Sequence, residues 1–318
     1  MMRPFSVVFY EWVSEYYKSA SIGKNGDFYT AVSASKFFGG SLAKLIIEKL
    51  ESSTLTLPLH IVDIGGNNAN LLSDIIDFLE SISEGVVEHC KFILIETNAT
   101  HCTDNRILQI KHLSSFTLEN NAIFIANELF DALPCEIYSN GKILYLDSNF
   151  KYDFLPSSQR INLVAKFANI TRGEIPLSYF DLCVELIKSN PKNYKWLFLA
   201  FDYGDKIPQN SITMRIFHNH KVESLSKIIS NLNLYFKKSD ITYNVPFSIL
   251  QKAFSEIGAK EILFKRQDLA LIEDFKIFDL VQDFYNSVPK ALYVRESNKI
   301  KTLLSISSKF KLAIYSNF

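Results

Sequence analysis

The sequence predicts an α/β fold with a mostly parallel sheet, and three observations carry that prediction. Short apolar runs that read as buried strands alternate with amphipathic helical patterns across residues 58–204. One run, 59–64, ends in an acid at Asp63 and a glycine pair, Gly65 and Gly66, then passes into a helix with Leu71, Leu72, Ile75, Ile76 and Leu79 on one side. Two further runs, 261–264 and 311–315, close the chain where an antiparallel edge would complete such a sheet.

The chain has 318 residues, 47% of them hydrophobic, and a formal net charge of zero. A large core can be built from that composition, and no global field attracts nucleic acid or an anionic membrane. The four cysteines, Cys90, Cys102, Cys135 and Cys183, form no C-x-x-C pair, which points to thiols in a reducing cytosol. The apolar run at 5–10 is too short and too interrupted for a signal peptide, and nothing approaches the length of a membrane span. A cytoplasmic protein with no nucleic-acid partner and no membrane insertion is expected.

In chain order, residues 5–20 read as an amphipathic helix with Val8, Trp12, Val13 and Tyr16 on one side. A loop, 23–30, and a second helix, 33–50, follow; a Ser/Thr-rich linker then leads to the sheet. Candidate core strands are 61–64, 92–95, 107–110, 122–126 and 196–201. Asn140-Gly141 between the runs 135–138 and 142–146 marks a hairpin inserted at the edge of the fold. The expected organisation is a single domain over 1–318. It comprises a helical section with a lid loop (1–57), the sheet core (58–204) with a hairpin near 135–147, an insertion (205–250), and closing strands and helices (251–318).

The turn after the first strand is the place to look for chemistry, because ligands of open α/β sheets bind beyond the carboxyl ends of the strands. A dinucleotide site needs G-x-G-x-x-G, but here Asn67 and Asn70 replace the second and third glycines, so that fingerprint fails. Glu96, at the end of the second strand, can accept hydrogen bonds from both hydroxyls of an adenosine ribose. That favours S-adenosylmethionine (SAM). Methyltransferases that bind it this way carry an acid and three alternate glycines; this chain has Asp63, Gly65, Asn67 and Ala69. Asn tolerates positive φ best among non-glycine residues and Ala adds one methyl, so the backbone path can survive. The plain alternative is a turn that starts a helix and binds nothing.

Asn127 and Glu128 follow the fourth strand directly, and Asp131 is three residues on. If the segment is a helical turn, the two carboxylates share a face and can clamp a guanidinium bidentately. The competing reading is acids placed to offset a helix macrodipole. Asp202-Tyr203-Gly204 makes a similar turn after the fifth strand. His218 and His220 lack a third ligand, so no metal site is expected.

Together, Gly26-Asp27-Phe28-Tyr29-Thr30, Asp63-x-Gly65, Glu96, Asn127-Glu128-x-x-Asp131-Ala132-Leu133-Pro134, Asp202-Tyr203-Gly204, Arg215 and Asp240-Ile241-Thr242-x-x-Val245-x-Phe247 resemble the MidA family, which includes the mitochondrial complex I assembly methyltransferase. The resemblance runs over almost the whole chain. It implies a class I SAM-methyltransferase (Rossmann-like) fold with an N-terminal helical lid and hairpin insertions. For the mitochondrial member it implies methylation of an arginine in a complex I subunit. It places Asp63, Gly65, Gly66, Asn67, Glu96, Asn127 and Thr30 as cofactor-binding candidates. Glu128, Asp131 and Asp27, the last from the lid loop, are the catalytic candidates. The chain departs from the family where Gly66-Asn67-Asn68-Ala69 replaces Pro-Gly-Arg-Gly, and where Ser33 replaces an acid.

Three readings follow: a SAM-dependent protein-arginine methyltransferase whose partner is a respiratory-complex subunit, a degenerate binding or assembly factor without turnover, and a small-molecule methyltransferase. The oligomeric state stays open, a homodimer included.

Overall fold

Seven strands make the principal sheet: β1 (Leu59–Ile64), β2 (Cys90–Ile95), β3 (Ile107–Ile110), β4 (Asn121–Asn127), β5 (Trp196–Asp202), β6 (Lys260–Arg266) and β7 (Lys311–Ser316). The structure, a computed structural model, describes residues 1–18, 30–98, 102–218 and 221–318. The strand order is β6-β7-β5-β4-β1-β2-β3. Strands β1 to β5 pair in parallel, while β7 pairs antiparallel with both β5 and β6. Every residue of β1 and of β5 is buried, the pattern of strands covered on both faces and the reason they read as continuous apolar runs. The order reverses between β1 and β4, which puts the topological switch point at their carboxyl ends.

Helix Asn70–Ile82 buries Leu71, Leu72, Ile75, Ile76 and Leu79, the five residues its periodicity selects. Helix Phe37–Glu51 buries Phe37, Phe38, Leu42, Leu45 and Ile46 in the same core. Phe38 meets Phe201 of β5 edge-on at 5.2 Å between ring centroids.

The chain gathers into two compact units. The sheet unit comprises Ile22–Asn127, Glu185–Asp202 and Gly258–Phe318, and the hairpin unit Met1–Ser21, Glu128–Val184 and Tyr203–Ile257. The chain passes from one to the other directly after β4 and directly after β5.

In the hairpin unit, Glu136–Ser139 and Lys142–Leu146 pair across Asn140 (φ 46°) and Gly141 (φ 85°), the two left-handed residues of a tight hairpin turn. This hairpin is the middle of its own antiparallel sheet rather than an edge addition. Lys142–Leu146 also pairs with Arg3–Pro4 and Tyr152–Pro156, and Glu136–Ser139 with Arg172–Ile175. Both outer sides of the hairpin therefore find partner strands.

The stretch read as an insertion folds into the same unit as a three-stranded antiparallel sheet of Arg215–His218, Lys221–Ser224 and Asp240–Thr242. Helix Phe5–Tyr16 belongs there as well. It buries Phe5, Val8, Phe9, Trp12 and Tyr16, and Trp12 Nε1 donates to the Ser239 carbonyl at 2.7 Å. The two N-terminal helices thus fall in different units. Among the described residues, no helix is long and apolar enough to cross a membrane.

Candidate functional site

Left-handed backbone recurs at alternate residues of the turn beyond β1: Gly65 at φ 76°, Asn67 at 50° and Ala69 at 61°. The three-glycine path is kept with one glycine, and Ala69 bears a cost of about 1–2 kcal/mol for its Cβ. The turn is pinned by Gly65 N–H donating to Ile95 O at 2.8 Å and Ala69 N–H to Gly66 O at 2.9 Å.

Behind the turn lies Asp63, 1% exposed, with Leu94 and Ile125 as its cross-strand neighbours. Neither carboxylate oxygen has a hydrogen-bond partner among the described residues. Burial, reinforced by the negative charge of Glu96, pushes its pKa up to about 7. A Cβ on Gly66 would lie 2.1 Å from Asp63 Oδ2, so the second glycine of the pair is required by the acid beneath it.

Glu96 faces the same turn. Its Oε2 accepts the Asn67 N–H at 3.1 Å, and its Oε1 accepts the Asn98 N–H at 3.0 Å and Asn98 Nδ2 at 3.2 Å. Asn127 closes β4 in register with Phe201 of β5. Thr30 Oγ1 accepts the Ser33 N–H at 3.2 Å and caps the short helix Ala31–Ala34, a structural task for this cofactor candidate. Asp27 and His220 lie outside the described residues.

The second segment of the hairpin unit opens with Glu128, a non-glycine residue at φ 54°. The helical turn imagined for Glu128 and Asp131 does not form. A 3-10 turn covers only Phe130–Ala132, and a left-handed Glu128 lies outside it, so the two carboxylates do not share a helix face.

Asp131 is 5% exposed. Burial raises its pKa, opposed by a hydrogen bond from the Tyr203 hydroxyl and by the charge of Arg215. Tyr203 is also hydrogen-bonded to Thr242 Oγ1. The Arg215 guanidinium stacks on the Tyr203 ring at 4.5 Å from its centroid and donates from Nη2 to Asn244 Oδ1 at 2.9 Å.

The turn itself is clamped through its carbonyls. Tyr179 donates to Phe130 O at 3.1 Å, Tyr243 to Leu133 O at 3.0 Å, Ser178 to Pro134 O at 2.7 Å, and the Tyr243 N–H to Asp131 O at 3.2 Å. Sequence reasoning singled out Asp202-Tyr203-Gly204 for its acid, yet Asp202 is a fully buried residue of β5 and it is Tyr203 that reaches Asp131. Tyr179 and Tyr243 carry no local signal of this role, and Thr242 entered only as part of the 240–247 motif. His218 Nδ1 lies 3.3 Å from Lys238 O, and among the described residues no group of His, Cys, Asp and Glu is placed to hold a metal ion.

Residues 41–264 match the sequence profile of a family described as "Putative S-adenosyl-L-methionine-dependent methyltransferase". The chain belongs to this methyltransferase family. No match is found among curated proteins. Among solved structures, a Burkholderia thailandensis protein bound to S-adenosyl-homocysteine is similar, with a TM-score of 0.75 at 17% identity over 99% of this chain and 88% of that one. A native crystal structure of a protein of the same superfamily from that organism gives 0.74 at 17% identity, over 99% and 87%. The seven-stranded sheet is thus the class I methyltransferase fold.

SAM is the family's cofactor, and the turn beyond β1 fits it. The left-handed path at 65, 67 and 69 is intact, Asp63 is an orphaned buried carboxyl beneath it, and Glu96 stands at the end of β2, where ribose hydroxyls would be received. When bound, the cofactor supplies a methyl group activated on a sulfonium.

Proposed function

We propose that this methyltransferase is MidA-like and modifies a nitrogen of an arginine side chain in a partner protein, a respiratory-complex subunit by resemblance. The observation that supports this most is the Glu128–Asp131 turn. It presents two carboxylates immediately after β4, one on a left-handed residue and one buried and hydrogen-bonded by the Tyr203 hydroxyl, in a backbone held by Tyr179, Tyr243 and Ser178. Non-glycine residues in the left-handed region persist where surrounding structure holds them, and they gather at functional sites.

A guanidinium is charged at neutral pH and must shed one proton as its nitrogen gains a methyl group. In this reading Glu128 orients the guanidinium by a charge-assisted hydrogen bond and takes up the proton that its nitrogen releases, while Asp131 supplies the second negative charge. The test is incubation of the full chain with labelled SAM and a panel of arginine-containing subunit peptides, with the modified residue mapped by mass spectrometry. Label on lysine, or on a small molecule alone, would replace the arginine reading.

One observation favours a second reading, a binding factor without turnover. The Glu96 oxygens already accept three hydrogen bonds from Asn67 and Asn98, in a turn that lacks two of the usual glycines. Calorimetric titration with SAM separates the two, since a factor without turnover has no need of the cofactor.

A further inference from the structure

We infer that Arg215 is a positioning residue for the acceptor carboxylates: stacked on Tyr203 and tied to Asn244, it fixes the charge and orientation of buried Asp131 without touching the acceptor. The inference rests on the proposed role of the Glu128–Asp131 turn, and every residue involved lies in the hairpin unit.

Three contacts carry it. The guanidinium lies over the Tyr203 ring at 4.5 Å, its Nη2 donates to Asn244 Oδ1 at 2.9 Å, and the Tyr203 hydroxyl bridges the Asp131 carboxyl and Thr242 Oγ1. Arg215 and Thr242 are cross-strand partners, so one antiparallel pairing holds the cation and the far end of the hydroxyl bridge in register. Arg215 Nε is buried with no hydrogen-bond partner among the described residues, so its placement is not accounted for by hydrogen bonding alone.

The need for a cation follows from the surroundings. Asp131 is buried, and its charge is felt by the Tyr17 and Tyr243 hydroxyls; Tyr17 Oη in turn donates to Asp240 Oδ1 at 3.0 Å, which brings a second buried carboxyl into the cluster. Arg215 is a cation whose charge acts on Asp131 there. Beside the Tyr203 hydrogen bond it favours the ionised carboxyl against burial; without it, the carboxyl would hold its proton to a higher pH and weaken its attraction for a cationic acceptor.

The test follows the Asp131 carboxyl by carbon-13 NMR on the full chain labelled at aspartate, with Asp131→Asn to assign the resonance. Arg215→Gln is expected to raise the titration midpoint by about one pH unit or more, and Arg215→Lys to restore most of that shift. SAM affinity, measured alongside, should be unchanged. A midpoint that does not move in Arg215→Gln, or a lysine variant that behaves like the glutamine one, overturns the inference. Should Arg215→Gln fail to fold, Asn244→Ala leaves Asp131 and Tyr203 intact, releases the Arg215 Nη2 that Asn244 Oδ1 holds, and must raise the midpoint in its place; an unmoved midpoint there overturns the inference. This readout needs no acceptor, so the inference can fail while arginine methylation stands, and arginine methylation can fail on the peptide panel while the inference stands.

Discussion

Gly66 and Asp63 approach so closely that a methyl group on Gly66 would sit 2.1 Å from Asp63 Oδ2 and 2.9 Å from Leu94 Cδ1. A glycine in the signature turn is thereby explained by the acid two strand positions before the turn begins. Gly66→Ala must displace a buried carboxyl walled in by Leu94 and Ile125, and overpacking of this kind costs about 1–3 kcal/mol. Urea unfolding of the cofactor-free chain should show a lower midpoint with the same slope. An unaltered midpoint would mean that the Asp63 side chain swings clear at little cost.

The same burial predicts a pH dependence. Asp63 has its pKa raised from 3.8 to about 7. Below pH 4 the carboxyl is protonated in folded and unfolded chain alike and contributes nothing. Between about 4 and 7 the unfolded chain releases the proton while the folded chain keeps it, so each rise in pH favours unfolding. Above 7 the penalty is complete, on the order of 4 kcal/mol. Asp63→Asn should therefore be less pH-sensitive than the parent, with the difference growing from pH 4 and levelling off above 7. Parallel stability curves for the two would mean that Asp63 titrates alike in the folded and unfolded chain, its burial leaving the pKa unmoved.

The principal sheet was legible because its central strands are buried on both faces and so appear as apolar runs such as 196–201. The turn was legible because a left-handed path has few substitutes for glycine, and Asn is the best of them. The antiparallel edge of 261–264 with 311–315 was legible, but the long-range pairing of the hairpin unit was not. Nothing local in Arg3–Pro4 or Arg172–Ile175 announces that both join the 136–146 hairpin, and this pairing turns an expected edge insertion into the middle of a second sheet. Asp131, Arg215 and Thr242 each stood in a sequence motif, but their meeting was hidden for the same reason, since Arg215 pairs with Thr242 across strands and the Tyr243 N–H reaches Asp131 O from far along the chain. The helical face expected for Glu128 and Asp131 failed on a single dihedral angle at Glu128.

Glu96 offers a prediction on cofactor affinity. Its carboxylate receives the Asn67 N–H and is braced by Asn98. Glu96→Ala removes the acid expected to hold the ribose and also leaves the Asn67 N–H without its acceptor. Hydrogen bonds to a charged group are worth about 1.5–3 kcal/mol, so calorimetry should show SAM affinity lowered roughly ten- to hundred-fold. Asn98→Ala loosens the carboxylate without removing it and should cost less. If the alanine at 96 left affinity untouched, the cofactor would have to be held by other residues of the sheet unit.

Glu128 separates stability from activity. Its φ of 54° strains any side chain with a Cβ, and glycine would relieve about 1 kcal/mol of that strain after its own entropic cost. Glu128→Gly should therefore melt at a higher temperature than the parent while losing turnover. Glu128→Gln keeps the strain, the side-chain length and the bound SAM, yet it cannot take up a proton or hold a guanidinium by charge. Turnover on the arginine acceptor should fall by about two orders of magnitude with SAM affinity unchanged. Should glutamine abolish SAM binding instead, Glu128 belongs with the cofactor residues; should glycine lower the melting point, the side chain holds the turn together and its left-handed conformation is a consequence of packing rather than of chemistry.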